Sequence, residues 1–437
     1  SAQKDFEGSD LIVADGQTVT YGSPTLRFTH RTARVTIVLT DYTEESMVVQ
    51  LTGLSTENGN PDNITPYGKG SNTYTAIVAP QSVAAGTAFV TCTFTNGKTF
   101  VYKMKNATDW QAGGEYTYTV SLAAAKDLGY TIEGNGSYTV TSADGLMNIA
   151  ELVNGGKTDI NITLDKNIDL TGKDWTPIGT SFDNSYTGTF DGGGHTITGL
   201  TITTKDQFVG LFGYLNRAGT VKNVVMEGIQ ITSNHVLMSG NTGGVVGYSW
   251  GTIENCSVSG SVSGTNCVGG VVGSQKAGSI IGCSSSAIVK GTRYVGGVAG
   301  EKWGTMTACY ATGNVTLEIG SQNNLSGGGV VGLSGGNRVL ACYAIGNVNS
   351  KGGSTGNVHI GGLLGDNYTA VTACYWKNNQ EQGFGSNQHS TAPEATKVDG
   401  TTVTWKNAVD DMNTALQNAG SVWRYELNGA LPTLRKQ

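Results

Sequence analysis

Apolar positions in the second half of the chain alternate in short stretches, and the stretches repeat. Ile253, Cys256, Val258, Gly260 and Val262 form one set; Met306, Cys309, Ala311, Gly313 and Val315 form another; Val339, Cys342, Ala344, Gly346 and Val348 form a third. From each Cys onward the period is two, which places these residues on one side of a strand. Gly, Asn, Ser and Thr bound each stretch and supply the turns. A five-residue block marks the recurrence: Gly243-Gly-Val-Val-Gly247, Gly269-Gly-Val-Val-Gly273, Gly296-Gly-Val-Ala-Gly300, Gly328-Gly-Val-Val-Gly332 and Gly361-Gly-Leu-Leu-Gly365, at spacings of 26, 27, 32 and 33 residues. A Cys follows thirteen or fourteen residues after each block begins: Cys256, Cys283, Cys309, Cys342 and Cys374. A weaker copy, Gly210-Leu-Phe-Gly213, precedes them with Val224 in the Cys slot. One such unit cannot bury its apolar face, whereas stacked units bury it continuously. The pattern predicts a right-handed parallel β-solenoid with one coil per repeat, its six coils spanning roughly 30 Å. The Gly pairs are expected at tight corners, where positive φ or close chain approach excludes a side chain.

Residues 1–125 have a different texture. Strand patterns fall at Leu11–Ala14, Thr25–His30, Ala33–Thr40, Met47–Leu51, Thr73–Val78, Thr87–Thr95, Thr99–Met104 and Glu115–Leu122. Turn-rich segments separate them, as in an antiparallel sandwich. Residues 126–205 read as an N-terminal cap with the first coils, because an uncapped coil exposes strand edges. Within them Ser142 opens a helical pattern through Leu146, Ile149, Ala150 and Val153. Residues 206–377 hold the repeats. Residues 378–437 read as a closing cap: a polar loop to about 402, a helix carrying Trp405, Val409, Met412 and Leu416, and a final strand and turn. The fold class is therefore all-β, with a sandwich followed by a solenoid with short helical caps.

Composition narrows the function. Of 437 residues 65 are Gly, about twice the usual share, and only 14% are charged against a norm of about 25%. Net charge is −6, so no basic footprint for nucleic acid exists. No apolar run approaches the roughly 18 residues of a transmembrane helix. The seven Cys include no C-x-x-C pair, which argues against zinc ribbons and thioredoxin-like chemistry. The Cys column is expected to hold buried, unpaired thiols, because Val224 in the same slot can neither ligate metal nor cross-link. Cys92 and Cys267 lie outside the column and are expected to pack singly. The Gly blocks lack the Lys-Ser/Thr ending of a phosphate cradle.

The repeat, with a Cys preceded by Asn or Ala and followed by Gly and Val, resembles the GLUG repeats of bacterial surface proteins. Trp175-Thr-Pro-Ile-Gly179, Phe190-Asp-Gly-Gly-Gly-His195 and Val209-Gly-Leu-Phe-Gly213 resemble the start of such solenoids, and Trp423-Arg-Tyr with Leu431-Pro-Thr-Leu434 resembles their end. The front region is similar to fimbrillin-like proteins of Bacteroides relatives through Ser9-Asp-Leu-Ile-Val-Ala14, Leu26-Arg-Phe-Thr-His-Arg31, Val78-Ala-Pro-Gln81 and Gly113-Gly-Glu-Tyr-Thr-Tyr118. Together these resemblances imply an exported cell-surface or outer-membrane adhesin, or a fimbrial accessory or tip subunit. The implied partners are host or bacterial glycans or proteins and fimbrial subunits, and no cofactor is implied.

Enzymes also occur on such solenoids, and a polysaccharide lyase or glycosidase is the alternative. It needs paired carboxylates, or a basic residue with acidic metal ligands, on adjacent coils. Positions 243–375 carry ten charges: Glu254, Lys276, Lys290, Arg293, Glu301, Lys302, Glu318, Arg338, Lys351 and Asp366. Only Glu301 and Asp366 share a slot, two coils or roughly 10 Å apart, and both are expected on solvated corners. Asp191 and His195 read as a corner turn, and no His spacing suggests a metal. No catalytic or metal-binding residue is therefore assigned. Binding is the better expectation. The residue after each column Cys should point outward: Ser257, Ser284, Tyr310, Tyr343 and Tyr375. Tyr248, Trp250, Trp303 and Tyr368 are expected on corner loops. Such rows suit sugar rings or a protein partner, or they pack against one another between coils.

Overall fold

The computed structural model describes residues 11–17, 22, 26–41, 47–94, 99–122, 126–235, 239–319, 324–353 and 356–437. The chain divides into two compact units, Ser1–Ile132 and Glu133–Gln437.

In the first unit, Ala33–Thr40 alternates buried and half-buried positions along its whole length. It pairs antiparallel with Thr73–Val78 and parallel with Glu115–Ser121, so the sandwich contains one parallel pair. A second sheet is formed by Met47–Leu51, Ala88–Phe94 and Thr99–Lys103. Val35, Ile37, Val49, Leu51, Phe89 and Trp110 form the core between them. Cys92 is buried there singly, and burial pushes its thiol up to about 12. The sequence pattern missed the short strands Tyr67–Gly70, Gln81–Val83 and Thr108–Trp110. The predicted Thr25–His30 is ordered as strand only at Thr29–His30, and Thr25 lies outside the described residues.

The second unit is a solenoid of stacked parallel strands. One sheet runs from Tyr138–Val140 through Ile162–Leu164, Thr189–Asp191, Thr220–Lys222, Thr252–Glu254, Ser279–Ile281, Thr305–Thr307 and Val339–Leu340 to Val371–Thr372. Its central residues, among them Val221, Ile253, Ile280, Met306, Val339 and Val371, stack in register and are buried. Each such side chain removed from water contributes about 1.5–3 kcal/mol. Two sheets flank the Gly blocks. One contains Phe208–Val209, Asn241–Gly243, Cys267–Gly269, Tyr294–Gly296, Leu325–Gly328 and Val358–Gly361. The other contains Phe212–Leu215, Val246–Ser249, Val272–Gln275, Ala299–Lys302, Val331–Ser334, Leu364–Asn367 and Phe384–Asn387.

The block glycines act through space, not through φ. None of Gly243, Gly269, Gly296, Gly328 and Gly361 has positive φ. A Cβ on each would lie 2.0–2.2 Å from the carbonyl oxygen three residues on, so any side chain collides with the backbone as the chain doubles back. The left-handed corner lies elsewhere, at the residue before the Cys slot. Asn223, Asn255, Gly282, Ala308, Ala341 and Ala373 all have φ between 49° and 63°. Holding Ala there costs energy that the stacked neighbours must supply.

The Cys slot is a continuous file. The backbone N–H after each slot donates to the slot carbonyl of the preceding coil: Ser257 to Val224, Ser284 to Cys256, Tyr310 to Cys283, Tyr343 to Cys309 and Tyr375 to Cys342, at 2.9–3.1 Å. All five column thiols are free and buried. Each column sulphur donates to the carbonyl two residues before it, Cys256 to Glu254, Cys283 to Ile281, Cys309 to Thr307, Cys342 to Leu340 and Cys374 to Thr372, at 3.3–3.4 Å. Burial raises the thiols of Cys256, Cys309 and Cys374 well above their ordinary range. One inward row is polar rather than dry: Ser249, Gln275, Lys302, Ser334 and Asn367 are all buried. Lys302 Nζ donates to the carbonyls of Gly335 and Asn337, and burial lowers its ammonium to about 7.

Helix α1, Ala143–Asn154, is capped by Ser142, whose hydroxyl accepts from Gly145 N–H at 3.1 Å. Helix α2, Trp405–Asn418, starts in a reciprocal cap between Thr404 and Asn407. Two features correct the expected C-terminal region. Residues 378–402 are not simply a polar loop, because Phe384–Asn387 and Ala395–Lys397 extend two of the sheets by another coil. The region also does more than close the end. Helix α2 and the hairpin Trp423–Asn428 with Leu431–Lys436 lie against the side of the solenoid. Trp423 occupies the space over Gly282, where a Cβ would sit 2.5 Å from its ring, and Lys436 pairs with Glu254 at 2.7 Å.

Candidate functional site

The side strap decides the fate of the tyrosine row. Tyr310 and Tyr343 do stack, with ring centroids 4.8 Å apart and planes within 1°. Tyr343 is nevertheless fully buried, its ring against Trp405 and Tyr425 and its hydroxyl donating to the Pro432 carbonyl at 2.5 Å. Tyr375 is 8% exposed and donates to Asp411 at 2.7 Å. The expected exposed face of Tyr310, Tyr343 and Tyr375 is therefore the seat of the C-terminal strap. Alternation aimed these rings out of the coil, and residues 405–434 then covered Tyr343 and Tyr375 and left Tyr310 half-buried at the edge of the strap.

The corner aromatics also differ from expectation. Tyr248 is not in a loop but in the strand Val246–Ser249. Trp250 lies half-buried with the Arg217 guanidinium 5.4 Å from its ring. Trp303 is 42% exposed, packs over Gly335 and donates its Nε1–H to Glu301 at 2.7 Å. Tyr368 is 49% exposed on the same corner two coils on. Lys276 and Gly335 occupy the same position on the intervening coils, so the corner aromatics form no continuous row.

A concave site lies where the chain doubles back at the Gly blocks. One row of outward residues, in register from coil to coil, is Phe208, Asn241, Cys267, Tyr294, Ser326 and His359. Facing it are Tyr214, Tyr248, Ser274, Glu301, Leu333 and Asp366. Between Phe208, Asn241, Cys267 and Tyr294 of the one row and Tyr214, Tyr248 and Glu301 of the other, the groove has a volume of about 710 Å³. Phe182, 70% exposed, stands at its rim with its ring 6.0 Å from that of Tyr214. Phe208, Tyr214 and Tyr248 form a connected cluster with centroids 4.9–5.4 Å apart. Asn241, Asn266, Ser239 and Gln207 add amide and hydroxyl groups to the wall.

Glu301 lies in the groove floor, almost buried. It accepts from Lys276 at 2.6 Å, Ser274 at 2.8 Å and Trp303, and the Cys267 sulphur is 3.6 Å away. Burial pushes its carboxyl up, but the Lys276 charge and these hydrogen bonds outweigh burial and hold it below the usual range. Cys267 therefore does not pack alone in a core. Burial, reinforced by Glu301, raises its thiol. Asp366 is likewise buried, not solvated: Ser326 donates to it, and His359 Nδ1 lies 2.5 Å from its Oδ1. There the two rows close on each other. Asp191 holds a corner, accepting from Asn223 at 2.8 Å and Gly193 at 2.9 Å with Lys222 at 3.2 Å. Among the described residues no cluster of three or more His, Cys, Asp or Glu could hold a metal ion. Sequence reasoning found Tyr248 but missed Phe182, Phe208, Tyr214, Arg293 and Tyr294. The available signal was the position two residues before each block paired with the position five residues after its start.

Residues 1–133 match the family model described as fimbrillin-like, and residues 238–263 match the GLUG motif. The halomucin of Haloquadratum walsbyi is 31% identical over 214 residues, 44% of this chain but 2% of that protein. A protein of Evansella cellulosilytica, provisionally named a Gly-rich membrane protein, is 32% identical over 128 residues, 28% of this chain and 14% of the relative. The chain thus spans only a small part of these relatives. A crystal structure from Bacteroides ovatus, provisionally described as an immunoglobulin A1 protease, superposes with a TM-score of 0.53 at 20% identity. It covers 69% of this chain and 93% of that one, a likeness of fold. Among the described residues no helix is long and apolar enough to cross a membrane. Residues 1–133 are thus fimbrillin-like and are followed in the sequence by a GLUG-bearing solenoid, a combination that supports a surface protein of the fimbrial or adhesin type.

Proposed function

We propose that the protein is a non-enzymatic adhesin or fimbrial accessory or tip subunit, and that the groove between the two outward rows is its ligand site. The observation that carries this reading is the aromatic cluster of Phe208, Tyr214 and Tyr248 lining an open cleft, with Phe182 at its rim. Flat apolar rings with polar edges, set among amides, suit recognition of sugars or of a protein surface. The sequence-level alternative, a β-helical lyase or glycosidase, draws on Glu301 and Asp366 in one slot. Two features weigh against it. A general acid needs a raised carboxyl pKa, whereas that of Glu301 is lowered. Asp366 is held by Ser326 and His359 where the rows close.

The test is attachment of the full chain to surface glycans and host-matrix proteins, with and without Tyr248→Ala combined with Phe208→Ala. Loss of attachment with the fold intact supports the groove. Unchanged attachment dismisses it. Turnover of a polysaccharide that Glu301→Gln abolishes would replace this reading with the enzymatic one.

A further inference from the structure

We infer that the groove recognises an acidic oligosaccharide, with sugar rings on the Tyr248 cluster and a carboxylate on Arg293; this rests on the groove being the ligand site. The charges lining the groove are unevenly satisfied. Lys276 and Glu301 neutralise each other at 2.6 Å. Arg293 has no carboxylate partner among the described residues. Its guanidinium lies 4.5 Å from the centre of the Tyr294 ring, its one side-chain hydrogen bond is a long one of 3.4 Å to Asn266 Oδ1, and its Nε–H is buried without an acceptor. A guanidinium beside a ring, with no carboxylate partner, fits an incoming carboxylate better than a neutral hydroxyl. Asp183, the other charge on the lining, is exposed beside Phe182 at the opposite end of the groove. An anion is therefore favoured at the Arg293 end.

Spacing sets the ligand's size. In the register of the outward rows, Tyr248 and Tyr294 belong to coils two apart, roughly 10 Å along the stack. One sugar ring cannot reach both. A chain of sugars lying along the solenoid axis can rest one ring on Tyr248 and present the acid of another to Arg293. The intervening coil contributes Asn266 and Cys267, short side chains over which the glycan can pass.

Titration calorimetry on the full chain at low salt tests this, with tetragalacturonic acid, a hyaluronan tetrasaccharide and sialyllactose, each against its methyl ester. At least one free acid should bind, and esterification should weaken it about tenfold or more. Arg293→Gln should weaken the acid to the same degree and leave any ester binding unchanged. Arg293→Lys should recover part of the loss, and thermal unfolding should match the parent for both. If acid and ester bind alike, or Arg293→Gln changes nothing, the acidic specificity falls while the adhesin reading stands on Tyr248→Ala. If no probe binds in either form, the inference is overturned, and attachment assays with Tyr248→Ala judge the adhesin reading separately.

Discussion

Two rows of outward side chains run along the same solenoid, and both are aromatic on some coils. The row after the Cys file carries Tyr310, Tyr343 and Tyr375. The row after the Gly blocks carries Tyr214, Tyr248, Ser274 and Glu301. Tyr343 and Tyr375 of the first are sealed under helix α2 and the C-terminal hairpin, with Tyr310 half-buried at the edge. The second faces an open cleft. Their local patterns are equivalent, since each follows a buried residue by strand alternation. What differs is the neighbouring surface. The Tyr343 row is flanked by apolar Ile281, Leu340 and Ile345, on which Trp405, Trp423 and Tyr425 pack. The Tyr248 row borders a backbone that doubles back, leaving a concavity. Outward therefore does not mean exposed: alternation fixes direction relative to the coil, and the rest of the chain fixes what the side chain meets.

The sharpest way to break this contrast is to truncate the sealed row. Tyr343→Ala should destabilise the solenoid by about 3–5 kcal/mol in denaturant unfolding, as expected for a buried aromatic ring. Ligand attachment measured below the transition should be unchanged. Altered attachment without altered stability would make the sealed row functional and dissolve the distinction.

Substitution in the thiol file comes next, because each column Cys sets the residue that follows it. Cys309→Ser should cost about 1–3 kcal/mol, since it buries a more polar and smaller group in a close-packed file, even with the Thr307 carbonyl 3.3 Å from the sulphur as an acceptor. Cys309→Val should cost under about 1.5 kcal/mol, as Val224 already occupies that slot. Equal effects of the two, in thermal unfolding, would argue that the file is not the packing column described above.

The open row should behave in the opposite manner. Tyr248→Ala should change stability by less than about 1 kcal/mol, because the ring is only half-buried, yet weaken ligand binding tenfold or more, equivalent to about 1.4 kcal/mol. A large loss of stability would place Tyr248 with the sealed row instead.

The smallest effect concerns Glu301. Its carboxyl is held below the ordinary value, so its stabilisation is complete above about pH 4.3 and fades as pH falls through the lower folded value. Acid unfolding of Glu301→Gln should lack that contribution, and the gap between the two proteins should narrow towards low pH. A gap that widens on acidification would contradict the Lys276 pairing.

The sequence by itself determined the period, the coil register and the direction of most side chains. Repeated blocks at 26–33 residues leave one way to stack, and Cys, Val and Ile at two-residue spacing then fall inward. It also marked both helices, through Ser142 ahead of Leu146, Ile149 and Val153 and through the helical spacing of Trp405, Val409, Met412 and Leu416. It located the Gly corners and left positive φ or close approach as their cause, and the clash of 2.0–2.2 Å with a carbonyl, visible only when the chain is seen doubling back, decides for close approach. It could not show that residues 405–434 would travel along the side of the rod, because nothing local to Trp423 or Tyr425 names Gly282 or Tyr343 as partner. Nor could it join Phe182, Tyr248 and Arg293, which lie up to 111 residues apart in sequence. Those decisions belong to tertiary structure: burial and concavity depend on which surfaces approach one another in space, and approach is a property of the folded chain, not of any stretch of it.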